Sequence, residues 1–237
     1  MSDWFFRPGS HITGKLAGLF GGAQIIGLHH IPRSGPFILV ANHCSQADPP
    51  LLGWATGYQT GRVIHFMAKI EMRHWPVVGW LAAQSGVFFI RRGESDRAAQ
   101  RLALGLLADG DAIAVFPEGT RSRDGKLQAG RPGAALLALR SGAPLVPVGI
   151  AGTHRLFASG RGPRRSRMTI RIGPPLGLGH QPDGRLDRRA LAEGTSRMMA
   201  AIAALLPVAQ RGARGGVADP VAARAEDRES DVPPEAR

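Results

Sequence analysis

The chain has one cysteine, one tyrosine, no long apolar run and far fewer acidic than basic residues. With Cys44 alone, an intrachain disulfide and a Cys-rich zinc site are both excluded, and a reducing compartment fits. One Tyr, with the Phe residues mostly inside strand-like runs, leaves no stacking series of the kind nucleic-acid binders use, so no nucleic-acid partner is expected. The best apolar run, LAGLFGGAQIIGL over 16–28, is interrupted by Gly18, Gly21, Gly22, Gln24 and Gly27. It falls short of the ~20 apolar residues that a spanning helix needs. The opening MSDWFFRPGSHITGK has Trp and Phe where a leader would be basic, and no small-residue cleavage site follows.

What is present in excess is positive charge: 30 Lys and Arg against 18 Asp and Glu, a net charge of +12. Residues 208–237 hold five Arg against six acids, so the excess sits in the rest of the chain. Such a body attracts polyanions: nucleic acid, an anionic membrane face, or phosphorylated and CoA-like substrates. Near the N-terminus, Trp4, Phe5, Phe6, Leu16, Leu19, Phe20, Ile25 and Ile26 beside Arg7 and Lys15 suit a headgroup-level anchor. A buried Gly-rich packing helix fits the same residues. Three regions follow: residues 1–30 as a membrane-associating helical segment, 31–206 as one folded domain, and 207–237 as a disordered tail poor in large apolar residues.

Short apolar runs at 37–41, 63–68, 86–90, 112–116, 144–150 and 168–173 read as strands, several of them unbroken and so buried on both faces. Helical spacing appears over 94–110, ending at Gly110, over 131–142, closed by Gly142, and over 187–206, with Asp187 as N-cap and Pro207 beyond the end. The alternation predicts a single α/β domain whose mixed central sheet is mostly parallel and flanked by helices.

The stretch VANHCSQADPP (40–50) follows the first of these strands, where α/β sheets put their sites. His43 and Asp48 are five apart, which on a regular helix puts them on different faces, so they meet only in a loop or turn. Pro49 favours this by pushing Asp48 toward an extended conformation. As a pair they fit a general base and its orienting carboxylate, and they also fit a structural turn; the two residues alone leave both readings open. Cys44 is adjacent to His43 in sequence rather than in space, and reads as small buried filler more simply than as a nucleophile. In AIAVFPEGTRSRDGK (112–126) an apolar strand breaks at Pro117 into a turn whose N–H groups, hydroxyls and guanidinium can face an oxyanion. Arg91 and Arg92, at the end of GVFFI (86–90), suit phosphate or a solvated basic loop.

NHCSQAD, GVFFIRR, FPEGTRS and PLVPVGIAGT occur in this order, and in it they resemble the four blocks of the glycerolipid acyltransferases related to 1-acylglycerol-3-phosphate acyltransferase. FMAKIEM and PVVGWLAAQSG, between the first two blocks, are similar as well, so the likeness runs from about Ile31 to Thr153. Arg91 stands where the family often has an acidic residue. The resemblance implies that His43 is the general base for a lysolipid hydroxyl and Asp48 its orienting partner. It implies that Arg92, Glu118, Gly119, Thr120 and Arg121 bind the acceptor, that Lys69 assists the oxyanion, and that PLVPV shapes a channel. The donor that the resemblance implies is acyl-CoA or acyl-ACP as co-substrate, with no further cofactor. The acceptor that it implies is a lysophospholipid, 1-acylglycerol-3-phosphate giving phosphatidic acid, or another lysolipid such as lyso-ornithine lipid. Neighbouring His29 and His30 rarely chelate one ion from a strand, and no metal is expected. Anionic membrane lipid becomes a partner and the cytoplasmic face of a membrane the location, with peripheral or monotopic attachment. The alternative from another class is a non-catalytic basic protein that binds membrane or nucleic acid.

Overall fold

The computed structural model describes residues 12–69, 87–90, 96–157, 164–184 and 186–212. Among the described residues seven strands form one sheet: β1 (Ala23–Ile26), β2 (Phe37–Ala41), β3 (Ile64–Lys69), β4 (Phe88–Ile90), β5 (Ala112–Val115), β6 (Leu145–Ala151) and β7 (Met168–Ile172). Their order is β1-β7-β6-β2-β5-β3-β4, with β6 and β7 antiparallel and every other neighbouring pair parallel. The helices are α1 (12–19), α2 (Asp48–Leu52), α3 (Asp96–Ala108), α4 (Gly133–Ser141) and α5 (Arg188–Leu205). The mixed, mostly parallel sheet read from the sequence is the sheet observed.

β2 lies between β5 and β6, and all five of its residues are buried. Side chains alternate across a strand, so an unbroken apolar run must fill two cores. Phe37, Leu39 and Ala41 enter the cluster that holds Ala17 of α1 and Leu51 and Leu52 of α2. Ile38 and Val40 enter the opposite one, with Leu107 of α3, Leu137 of α4, and Met198 and Ile202 of α5. Truncating a side chain such as Leu39 at this depth costs about 2–5 kcal/mol. The strand that delivers the VANHCSQADPP stretch is therefore among the most rigidly held parts of the chain.

Residues 12–30, the described part of the segment expected over 1–30 to be helical, are not helical throughout. The apolar run 16–28 divides: α1 ends at residue 19, and Ala23–Ile26 forms an edge strand parallel to β7. The division falls at Gly21, whose φ of 115° a side-chain-bearing residue rarely adopts, and a Cβ there would strike the backbone of Ser166. Phe20 and Ile25 pack on the core, whereas Ile12, Leu16 and Leu19, on one face of α1, are exposed. Trp4, Phe5, Phe6 and Arg7 lie outside the described residues. Among the described residues no helix is long and apolar enough to cross a membrane.

The other end also differs. Residues 207–212, assigned to the tail, pack on the domain: Val208–Gln210 forms a 3-10 turn and Gln210 is buried. The apolar signal that ends at Leu206 says nothing of a polar side chain with buried partners. Residues 213–237 lie outside the described residues. Helix ends follow the expected caps, Asp187 Oδ1 accepting the Arg189 N–H at 2.9 Å and the Gly142 N–H reaching Ala138 O at 2.8 Å.

Candidate active site

The site lies past the C-terminal ends of β2, β5 and β6. β2 ends at Ala41, and the next residue locks the exit to its neighbour: Asn42 Nδ2 donates to Ile150 O at 2.9 Å and Asn42 Oδ1 accepts the Ile150 N–H at 2.7 Å. His43 follows with its side chain 17% exposed, and its Nδ1 lies 2.9 Å from Oδ2 of Asp48, which is wholly buried. The same Oδ2 accepts the N–H groups of Cys44 and Ser45, each at 2.7 Å. One carboxylate oxygen thus fixes the loop backbone and the imidazole together. Its other oxygen, Oδ1, is buried without a hydrogen-bond partner among the described residues.

Asp48 reaches this position by a different route from the one the sequence suggests. It is not held extended by Pro49 but is the first residue of α2, with prolines following in the first turn. A helix tolerates proline there because the missing N–H has no intrahelical acceptor. The double proline starts the helix, and the carboxylate at that start bonds back to the loop before it.

The turn after β5 clamps His43 from the other side. Glu118 Oε1 accepts the His43 N–H at 2.7 Å, Glu118 Oε2 accepts the Gln128 N–H at 2.9 Å, and the Ser122 N–H donates to His43 O at 2.7 Å. Phe116 stacks on the imidazole, with ring centroids 4.2 Å apart and planes 23° from parallel. Backbone, ring plane and Nδ1 are all fixed, which leaves Nε2 as the nitrogen able to meet a substrate. Burial pushes the Glu118 carboxyl up to about 7, against the two N–H bonds that favour its charged form. Gly119 takes φ 70° directly beneath the Arg131 side chain; a Cβ at residue 119 would lie 2.8 Å from Arg131 Nε.

The predicted residues fall into three groups. His43, Asp48 and Glu118 are brought together, with Glu118 bonded to His43 and Gln128 backbone by both oxygens rather than turned to solvent. Gly119, Thr120 and Arg121 continue the turn on the exposed surface beside it. Lys69 closes β3 at the edge of the described residues, where its side chain lies outside them, as does Arg92. Sequence reasoning missed Asn42, Ser122 and Gln128; Asn42 had a signal, since it directly precedes His43 at a strand end. Cys44 is buried, its Sγ 3.2 Å from Thr153 Oγ1, and burial with the neighbouring Asp48 charge pushes its thiol up to about 12. Among the described residues no group of three or more His, Cys, Asp or Glu could hold a metal ion.

An imidazole held by a carboxylate, beside a basic turn, has the parts that deprotonation of a hydroxyl on an anionic substrate needs. Comparison with known proteins points the same way. A family model described as Acyltransferase matches residues 22–151. The lyso-ornithine lipid O-acyltransferase of Pseudomonas aeruginosa is 39% identical over 122 residues, 51% of this chain and 44% of that protein. The 1-acyl-sn-glycerol-3-phosphate acyltransferase alpha of Bos taurus is 32% identical over 187 residues, 74% of this chain and 61% of that protein. The crystal structure of the 1-acyl-sn-glycerophosphate acyltransferase from Thermotoga maritima superposes with a TM-score of 0.66 at 30% identity, over 81% of this chain and 75% of that one. The chain spans about half the length of the curated relatives it matches.

Proposed function

The chain belongs to the acyltransferase family, and from that premise we propose that it moves a fatty acyl group from a thioester to the free hydroxyl of a lysophospholipid. His43 Nε2 takes the hydroxyl proton while Asp48 holds Nδ1, and the oxygen attacks the thioester carbonyl. The tetrahedral intermediate then collapses, the C–S bond breaks, and the departing sulfur receives the proton from the imidazolium. No covalent acyl-enzyme is needed. The observation that carries this reading is the His43–Asp48 contact at 2.9 Å with the carboxylate buried and the ring reachable.

The preferred acceptor is 1-acylglycerol-3-phosphate, giving phosphatidic acid, with acyl-CoA or acyl carrier protein as donor. Gly119, Thr120, Arg121 and Arg92 bind its phosphate and Lys69 assists the oxyanion. A second acceptor, lyso-ornithine lipid, is favoured by the 39% identity to the Pseudomonas enzyme of that name. The exposed Ile12, Leu16 and Leu19 of α1, beside Lys15, support attachment at a membrane surface without spanning it. The test is a panel of both lysolipids with both donor types, read by product mass, on wild type and His43→Ala. Ester product from wild type and about 10²–10⁴-fold less from His43→Ala is the expected result; His43→Ala turnover close to that of wild type sinks the mechanism, and an acceptor preference for lyso-ornithine lipid selects the second reading.

A further inference from the structure

The stretch that matches the family ends at residue 151, yet residues 207–212, far beyond it, cross the loop that follows the Glu118 turn. α5 stops at Leu205, and a 3-10 turn over Val208–Gln210 brings Gln210 inward to 9% exposure. Its Nε2 donates to Gly125 O at 2.8 Å and lies 3.4 Å from His154 Nδ1, and its backbone O accepts the Leu127 N–H at 2.8 Å. Gly125, with φ 75°, lies so close under the His154 ring that a Cβ there would collide with it. A buried amide placed among such partners is specific, because a buried donor left unmet is costly.

The same loop is what clamps His43. Residue 128, next to Leu127, donates its N–H to Glu118 Oε2 at 2.9 Å, and Glu118 Oε1 accepts the His43 N–H at 2.7 Å. At the loop's start the Ser122 N–H donates to His43 O at 2.7 Å. On the other side His154 follows Thr153, whose hydroxyl is 3.2 Å from the Cys44 sulfur. One glutamine therefore joins the loops after β5 and β6, and both reach the two sides of the His43–Asp48 pair. Between Ser122 and Gln128 the loop's exposed residues Arg123, Asp124 and Lys126 offer it no apolar anchorage; only Leu127 enters the core.

We infer that Gln210 is a positioning residue: through Gly125 and Leu127 it holds the 122–128 loop against His43, so the C-terminal turn 207–212 is part of the functional unit. The inference rests on the acyl-transfer reading for what is positioned, and on the hydrogen bonds alone for the coupling. In the full chain, Gln210→Met keeps length and removes the donor. Hydrogen exchange followed by mass spectrometry is expected to quicken at least fivefold in peptides covering 120–130 and 40–48, with α4 and β6 protected as in wild type. Turnover per folded molecule, with acyl-CoA and the lysolipid preferred by wild type, is expected to fall about tenfold, as small displacements of a base do. Gln210→Glu is expected to recover toward wild type in acid, where its carboxyl proton again donates to Gly125 O, when both are compared at each pH. Gln210→Glu also carries the exchange comparison if Gln210→Met does not fold. Faster exchange confined to 207–212, or a loosened loop with turnover within twofold of wild type, overturns the inference. A wild-type chain that transfers no acyl group sinks the acyltransferase reading alone, and the exchange data then still support or overturn the hold of Gln210 on His43.

Discussion

Two histidine–aspartate pairs lie at opposite ends of the sheet. His43 and Asp48 meet at 2.9 Å past the end of β2, with side chains 17% and 0% exposed. His65 and Asp111 meet at 3.2 Å where β3 begins and just before β5, with side chains 9% and 45% exposed. The order of burial is reversed. At the first pair a buried carboxylate with two backbone N–H partners holds a reachable ring; at the second, an exposed carboxylate touches a buried ring. Beside the second pair Arg62 donates to Gly35 O at 2.7 Å and Gly110 O at 3.2 Å and lies over the Phe37 ring, tying together the loops at that end. A short His–Asp distance is thus common to a candidate base and a loop clasp. Which partner is immobilised, and which is open to substrate, separates them.

The strongest way to break this comparison is to truncate each histidine. His43→Ala is expected to lower acyl transfer by about 10²–10⁴-fold with the melting temperature nearly unchanged, while His65→Ala leaves turnover within about twofold and costs about 1 kcal/mol of stability. Equal losses of turnover would erase the distinction. The carboxylates sharpen it through stability. Asp48→Ala strips two buried N–H groups and a ring nitrogen of their acceptor, so denaturant unfolding should show a loss of about 2–4 kcal/mol. Asp111→Ala, at a half-exposed surface pair, should lose no more than about 1 kcal/mol.

Glu118 adds a pH dependence on the His43 side. Its pKa is raised from 4.5 to about 7 by burial. Between those values the folded chain keeps a proton that the unfolded chain releases, so this group's contribution to stability is full below about 4.5 and is lost as pH rises through about 7. Relative to Glu118→Gln, wild type should lose up to about 3 kcal/mol over that window and change no further above it. A difference that stays flat from pH 4 to 8 would show that Glu118 is hydrated in solution. The ionised form is nonetheless the one that accepts both N–H groups, so the group's geometric service to His43 is bought with stability above neutral pH.

The sheet was legible because β2, β5 and β6 are unbroken apolar runs, and two-sided burial needs nothing subtler than that. β1 was not: AQII lacks a period of its own and merges with the apolar residues of α1, and only the backbone at Gly21 separates them. In the site, His43 and Asp48 could be read from type and spacing. Their contact arises from a helix start, however, because proline's exclusion from helix interiors does not extend to the first turn. Glu118 stood out as an acid after a buried strand, yet its partners are backbone N–H groups of residues 43 and 128, which no spacing pattern encodes. Gln210 had no apolar periodicity to announce it, since what places it is an amide bonded across 85 residues of chain to Gly125.

Cys44 gives the smallest expected effect and a test of the loop from within. The thiol is between the two site residues in sequence, but its Sγ lies 3.2 Å from Thr153 Oγ1 and burial raises its pKa to about 12. At pH 8 almost no thiolate is present, and a thiol needs that form to be alkylated or to act as nucleophile. Native protein should therefore resist iodoacetamide, and Cys44→Ala should retain turnover within about twofold, at a cost near that of one weak buried hydrogen bond, about 1 kcal/mol. Because the Cys44 N–H to Asp48 Oδ2 bond is made by backbone, the substitution leaves the carboxylate's grip on the loop intact. Rapid alkylation of the folded chain would mean that the loop opens on that timescale, and with it the hold on His43 that separates this pair from the one at the sheet's other end.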